Sequence, residues 1–209
     1  LTAADPTKAS ISIVSNQMEL RVLRAEGNIP VTVNASGGTI TFHSPGALLQ
    51  PARDQNGIIN VIGGVVSVLN MGGGWNLYGC QVSRLEVGFM SAGVCSTLTG
   101  CSVQELAPQP GSDQGELVLR ATRVAAATVS GAGRFRAVHL RDDSQFTGKE
   151  GTLVCTDQTI TLDSTSRIIA NVVLERTALR LGGTITGRLT VRGPVHDARA
   201  EDGAVVGGG

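Results

Sequence analysis

The side chains best placed to do chemistry in this chain of 209 residues are two carboxylates, Asp142 and Asp163, and two arginines, Arg120 and Arg141. Two carboxylates about 5 Å apart on neighbouring strands are what a retaining glycosidase uses, one as nucleophile and one as acid and base. Arg120 would lie beside Asp142 and Arg141 beside Asp163 as electrostatic support. The same charges, with Asp143, also make an exposed ion-pair ladder, in which interleaved arginines offset like charges between stacked strands. Four cysteines, Cys80, Cys95, Cys101 and Cys155, are too few for a disulfide framework and lack the spacing of a zinc site. Cys80 and Cys101 share one phase of a repeat; parallel stacking points their Cβ atoms poorly for a disulfide, so a buried ladder of free thiols is expected.

Positioning these groups requires stacked strands, and the sequence supplies them. An apolar column, Ile40, Val61, Val82, Val103, Val124, Phe146, Ile168 and Leu189, recurs at near-constant spacing through most of the chain. The stretches Leu77-Tyr-Gly-Cys-Gln-Val-Ser-Arg-Leu85 and Leu98-Thr-Gly-Cys-Ser-Val-Gln-Glu-Leu106 align in phase. A second ladder runs through Leu77, Leu98, Leu119, Leu140 and Leu162. A third set pairs Leu153 with Leu174, Ile160 with Leu181 and Ile168 with Leu189. Such self-similarity marks a solenoid whose turns bury their apolar side only against each other. Short alternating runs such as Thr39-Ile-Thr-Phe42 and Thr159-Ile-Thr-Leu162 are strands, and 28 glycines serve the corners. The expected fold is all-β: a single-domain parallel β-helix of about 21-residue coils spanning 31–192. An N-terminal cap or attachment segment is expected over 1–30, with a strand or short helix at Met18–Arg24, and an extension over 193–209.

Measured from that column, the polar residues disperse. His43, His139 and His196 fall at different offsets, so neither a Ser-His-Asp triad nor a histidine metal site is expected. Thr39 and Thr41, Thr159 and Thr161, and Thr184 and Thr186 also differ in offset, which argues against a flat ice-binding array. Tyr78, Thr99, Arg120 and Asp142 share one offset and mark an exposed face. Trp75 is expected to plug a corner or an interface. With one Trp, one Tyr and four Phe, the rod offers few stacking platforms for sugar rings.

Seventeen basic and seventeen acidic residues balance to zero formal charge, which removes the footprint of a nucleic-acid binder. No apolar run reaches the length of a membrane span. The chain starts at Leu1 without a signal-like segment, as expected of a processed or fragmentary chain. No cofactor and no metal is expected.

The regular coils, the Leu-x-Gly-Cys-x-Val turns and the short strands resemble the right-handed parallel β-helix shared by pectin-degrading lyases and hydrolases and by phage tailspikes and other virion appendages. Hydrolases of that fold carry Asn-Thr-Asp, Asp-Asp, Gly-His-Gly and Arg-Ile-Lys motifs; here Asp142-Asp143 alone matches. The run Leu181-Gly-Gly-Thr-Ile-Thr-Gly-Arg-Leu189 is similar to bactofilins, polymer-forming bacterial β-helices with generally shorter coils. The resemblance implies a non-enzymatic structural rod, a virion component such as a phage capsid decoration protein or a tail fibre or spike segment. Its partners would be two further copies in a trimer and other capsid or tail subunits. A polysaccharide-acting hydrolase or lyase using Asp142 and Asp163, and a bactofilin-like scaffold, are the alternatives.

Overall fold

The computed structural model describes residues 11–21, 23–25, 29–52, 57–71, 74–88, 96–112, 115–193 and 197–207. Cys95 and His196 lie outside the described residues, as does 1–10 of the expected cap. The described residues contain no helix. Strands alternate along the chain between two parallel sheets, a wide one of twelve strands and a narrow one of ten. Each coil thus gives one strand to each sheet, and among the described residues every strand pairs with strands of neighbouring coils, in parallel. At about 4.8 Å per rung, ten rungs make a rod of roughly 45 Å.

The period-2 pattern of each strand sends alternate side chains into the space between the sheets. In the narrow sheet Leu20, Phe42, Val61, Leu77, Leu98, Leu119, Leu140, Leu162, Leu181 and Ala200 stand partner to partner. In the wide sheet the facing column is Ala47, Val66, Val82, Val103, Val124, Phe146, Ile168, Ile185 and Val206. Trp75 is fully buried in this core, beside Ile59, rather than at a corner or an interface.

These registers correct the expected apolar column at both ends. Its middle, Val82 to Ile168, holds, but Ile40 and Val61 belong to the narrow sheet, where Ile40 pairs with Ile59. The partner of Ile168 is Ile185, because the coil between them is shorter than the regular repeat; Leu189 pairs with Val172 instead. Likewise Leu153 pairs with Val172 and Ile160 with Leu179. Length variation is absorbed at corners, where two residues join Thr156 to Thr159 and seven join Ala127 to Phe135, and in bulges, as between Thr147 and Thr152, which pair with Ile169 and Asn171.

Both flanking stretches contribute rungs. Ile11–Val14 pairs with Pro30–Asn34 and Gln17–Leu20 with Thr39–His43, so Met18 lies in a strand and not in a helix. Within 193–209, Ala198–Ala200 extends the narrow sheet and Val205–Val206 the wide one.

Candidate functional site

The charged group sits where narrow strands turn into wide ones, at the corners of three successive coils. Asp142 and Asp143 both adopt left-handed backbone, φ 55° and 61°, which closes the corner between Phe135–Arg141 and Gln145–Thr156. Aspartate accepts this conformation more readily than most residues because its short polar side chain bonds locally. The Arg120 Nη1 donates to Asp142 Oδ2 at 2.7 Å, as the spacing predicts. Arg141 behaves differently. It stacks on Arg120 in register and makes no ion pair with Asp163 among the described residues, so Arg141, not Asp142, continues the outward column of Tyr78, Thr99 and Arg120.

Asp163 is tied to backbone rather than to arginine. Its Oδ2 accepts the Asp142 backbone N–H at 2.6 Å from the neighbouring coil. Its Oδ1 accepts the Thr165 N–H at 3.1 Å, the Thr165 hydroxyl at 3.0 Å and the Ser166 N–H at 2.9 Å. Burial works against its charge, but the hydrogen bonds from Ser166, the Asp142 backbone and Thr165 outweigh it, and the carboxyl is held below its ordinary value. A glycosidase acid needs the opposite shift. The structure therefore brings Asp142 and Asp163 together through a backbone donor, in an arrangement that closes corners. Asp143 takes part as well: its N–H donates to Thr165 Oγ1 at 2.9 Å, and its carboxylate lies 3.8 Å from Arg167.

Directly inside these corners runs a buried column that the two cysteines only half announced. Cys80, Cys101, Thr122, Ser144 and Ser166 each precede a wide strand, and each is at most 3% exposed. The Cys80 thiol lies within reach of the Val61 and Gly63 carbonyls and Cys101 of the Leu77 carbonyl. Thr122 Oγ1 donates toward the Arg120 carbonyl at 2.9 Å and accepts the Cys101 N–H at 3.3 Å. Ser144 Oγ donates to the Arg141 carbonyl at 2.6 Å and accepts the Thr122 N–H at 3.3 Å. Cys80, Cys101 and Cys155 are free thiols. The sequence signal for the column was small polar residues at the corner phase, not any one residue type.

On the outward face of the narrow sheet, Thr41, Asn60, Asn76, Thr97, Val118, His139 and Thr161 form one column. Thr41 and Thr161 therefore do share a column, contrary to the offset argument, whereas Thr184 belongs to the wide sheet. Asparagine, valine and histidine interrupt the threonines, and Asn76 Nδ2 donates to Asn60 Oδ1 at 3.1 Å along the ladder. His139 Nε2 is 3.3 Å from Glu116, which also binds Arg136, while its buried Nδ1 has no partner. Burial lowers the His139 pKa; Glu116 opposes this in part. His43 pairs with Glu19 at 2.9 Å far along the rod, so His43 and His139 remain apart.

The opposite corners, from wide strand to narrow, carry two adjoining surface hollows of about 570 and about 240 Å³, which share Ser130 and Val154. Among the described residues no group of three or more His, Cys, Asp or Glu is arranged to hold a metal ion, and no helix is long and apolar enough to cross a membrane. No family model matches the chain, and no curated protein or solved structure matches it either.

Proposed function

We propose that this chain is a non-catalytic structural rod, a virion component such as a capsid decoration protein or a segment of a tail fibre or spike. The observation that carries this reading is the engagement of Asp163: one of the two carboxylates that spacing nominates for a reaction accepts four hydrogen bonds, three that close its own corner and one, from the Asp142 N–H, that ties that corner to the neighbouring coil. A rod works as a spacer when each coil is locked to the next, and that is how the charged corners are used. Association into a trimer with further copies, alongside capsid or tail subunits, is supported by exposed Ile58, Ile62 and Tyr78 on one face of the narrow sheet and Val65 just past the corner.

Light scattering of the native protein tests the reading. A closed trimer is expected; an open filament would replace it with a polymer-forming scaffold of the bactofilin kind. A second reading, a polysaccharide-acting hydrolase or lyase, is favoured by the adjacency of Asp142 and Asp163. Cleavage of a polysaccharide that disappears in Asp142→Asn while the fold survives would establish it in place of the structural role.

A further inference from the structure

We propose that the larger hollow, at the corner formed by residues 128–134, binds a small hydroxyl-bearing molecule carrying one anionic group. At this corner seven residues join wide strand to narrow, where two do so in each of the next two coils. Loops that leave a rigid scaffold are where binding sites are built. This one is braced on both sides. The Gly111 N–H donates to the Ala132 carbonyl at 2.9 Å, the Arg134 N–H to the Ser112 carbonyl at 2.8 Å, and Ser130 Oγ to the Val154 carbonyl at 2.5 Å. The hollow of about 570 Å³ is therefore preformed, and a ligand entering it orders no loop.

Its charge follows from one carboxylate serving two guanidiniums. Asp157 accepts Arg176 Nε at 2.7 Å and Nη2 at 2.8 Å, one on each oxygen, and its Oδ2 also takes Arg134 Nη1 at 3.0 Å. One positive charge is left over. Arg134, which lines the hollow, keeps Nε and Nη2 without an acceptor among the described residues, and a guanidinium with two adjacent free donors suits a carboxylate, sulfate or phosphate group. Ser112, Ser130 and Thr156 line the same hollow and offer hydroxyl oxygens to the ligand's own hydroxyls. In the adjoining hollow Lys149 is neutralised by Glu105 at 2.9 Å, and Glu150 repels an anion from that side, which directs it to Arg134. Asp113, next to Ser112, lies outside the described residues.

The test titrates the full chain at low ionic strength with glycerol 2-phosphate, inorganic phosphate and glycerol, following backbone amide resonances. Glycerol 2-phosphate is expected to shift residues 130–134 and to bind several-fold more tightly than inorganic phosphate, with no response to glycerol. Arg134→Gln should weaken binding about tenfold. Asp157→Asn should tighten it about fourfold, the effect of removing one negative charge roughly 5 Å away in water; a damaged fold cannot produce that gain. Unchanged or weaker binding by Asp157→Asn, equal binding of inorganic phosphate, or shifts that map elsewhere would overturn the proposal.

Discussion

Replacing Asp163 by alanine removes an acceptor from four hydrogen bonds at once, three from backbone N–H groups and one from the Thr165 hydroxyl. Hydrogen bonds to a charged group contribute about 1.5–3 kcal/mol each when one partner is deleted. This corner is only partly buried and water replaces some of the loss, so the expected cost is about 2–4 kcal/mol for Asp163→Ala and roughly half that for Asp163→Asn, which keeps one oxygen. For a chain of this size that corresponds to a fall in Tm of roughly 5–12 °C. The damage should also be local, because each coil touches only its neighbours. Amide hydrogen exchange of Asp142, Thr165 and Ser166 should quicken, while Gly79 and Gly100, several rungs away, keep the parent rate. Acid adds a second readout. The folded-state pKa of Asp163 lies below that of the unfolded chain, so the unfolded state binds more protons in acid. Its stabilisation is complete above the unfolded value of about 3.9 and is lost as pH falls through the folded one. Asp163→Ala should lack that part of the acid loss. A Tm within a degree of the parent, with unchanged exchange at Asp142, would refute the assignment of Asp163 as a corner fastener.

Three other perturbations follow from the same geometry. Gly183→Ala would set a Cβ 2.1 Å from the Ser166 carbonyl and 2.5 Å from that of Asp163, and should prevent stable closure of that coil; Gly100→Ala, at φ 64° with nothing within 4 Å, should cost about 1 kcal/mol in urea unfolding. Cys80, Cys101 and Cys155 should resist a soluble disulfide reagent in a Cys95→Ser background and all react once the chain unfolds, since all three are buried and burial pushes Cys155 up to about 12. The folded-state pKa of His139 lies below its ordinary 6.5, so its neutral form favours folding above that pH and the benefit is lost as pH falls through the folded value. His139→Leu should remove this component from the drop in stability between pH 7 and pH 5.

The coil repeat was legible wherever coils are of equal length. Leu77, Leu98, Leu119, Leu140 and Leu162 stand in register as their spacing indicates. A uniform period fails at the short coils. Val61 is followed in its own column by Leu77, so a step of one regular period runs past the narrow sheet and lands on Val82 in the wide one. The same error recurs where Ile185 follows Ile168, again closer than one period. The first misplacement crosses from one sheet to the other, whereas the second stays in the wide sheet, where Leu189 stands beside Val172; each keeps an apolar residue in the column, because inward positions are equally apolar in both sheets and all along a strand.

The charged corner was legible to the level of neighbourhood and no further. Spacing placed Arg120 against Asp142, because that stretch has regular coils, but it treated Asp163 as a side-chain partner when its actual partners are mostly backbone N–H groups. Period fixes which coils meet; it carries no record of which N–H groups a left-handed corner turns outward. The inner corner column makes the same point for the cysteines. Read as a pair, Cys80 and Cys101 raise the question of a disulfide. Read with Thr122, Ser144 and Ser166, they occupy a position whose other members are hydroxyls, two of them donating to corner carbonyls. A thiol does the same more weakly while tolerating an apolar surrounding. A disulfide would remove both S–H donors and leave the Val61, Gly63 and Leu77 carbonyls with less, so the column's chemistry favours two thiols over one bridge. Polar groups in this rod thus divide by position: inside the corners thiols and hydroxyls bond carbonyls of their own and of the neighbouring coil, outside them charges pair, and at the 128–134 corner Arg134 keeps two donors for something else.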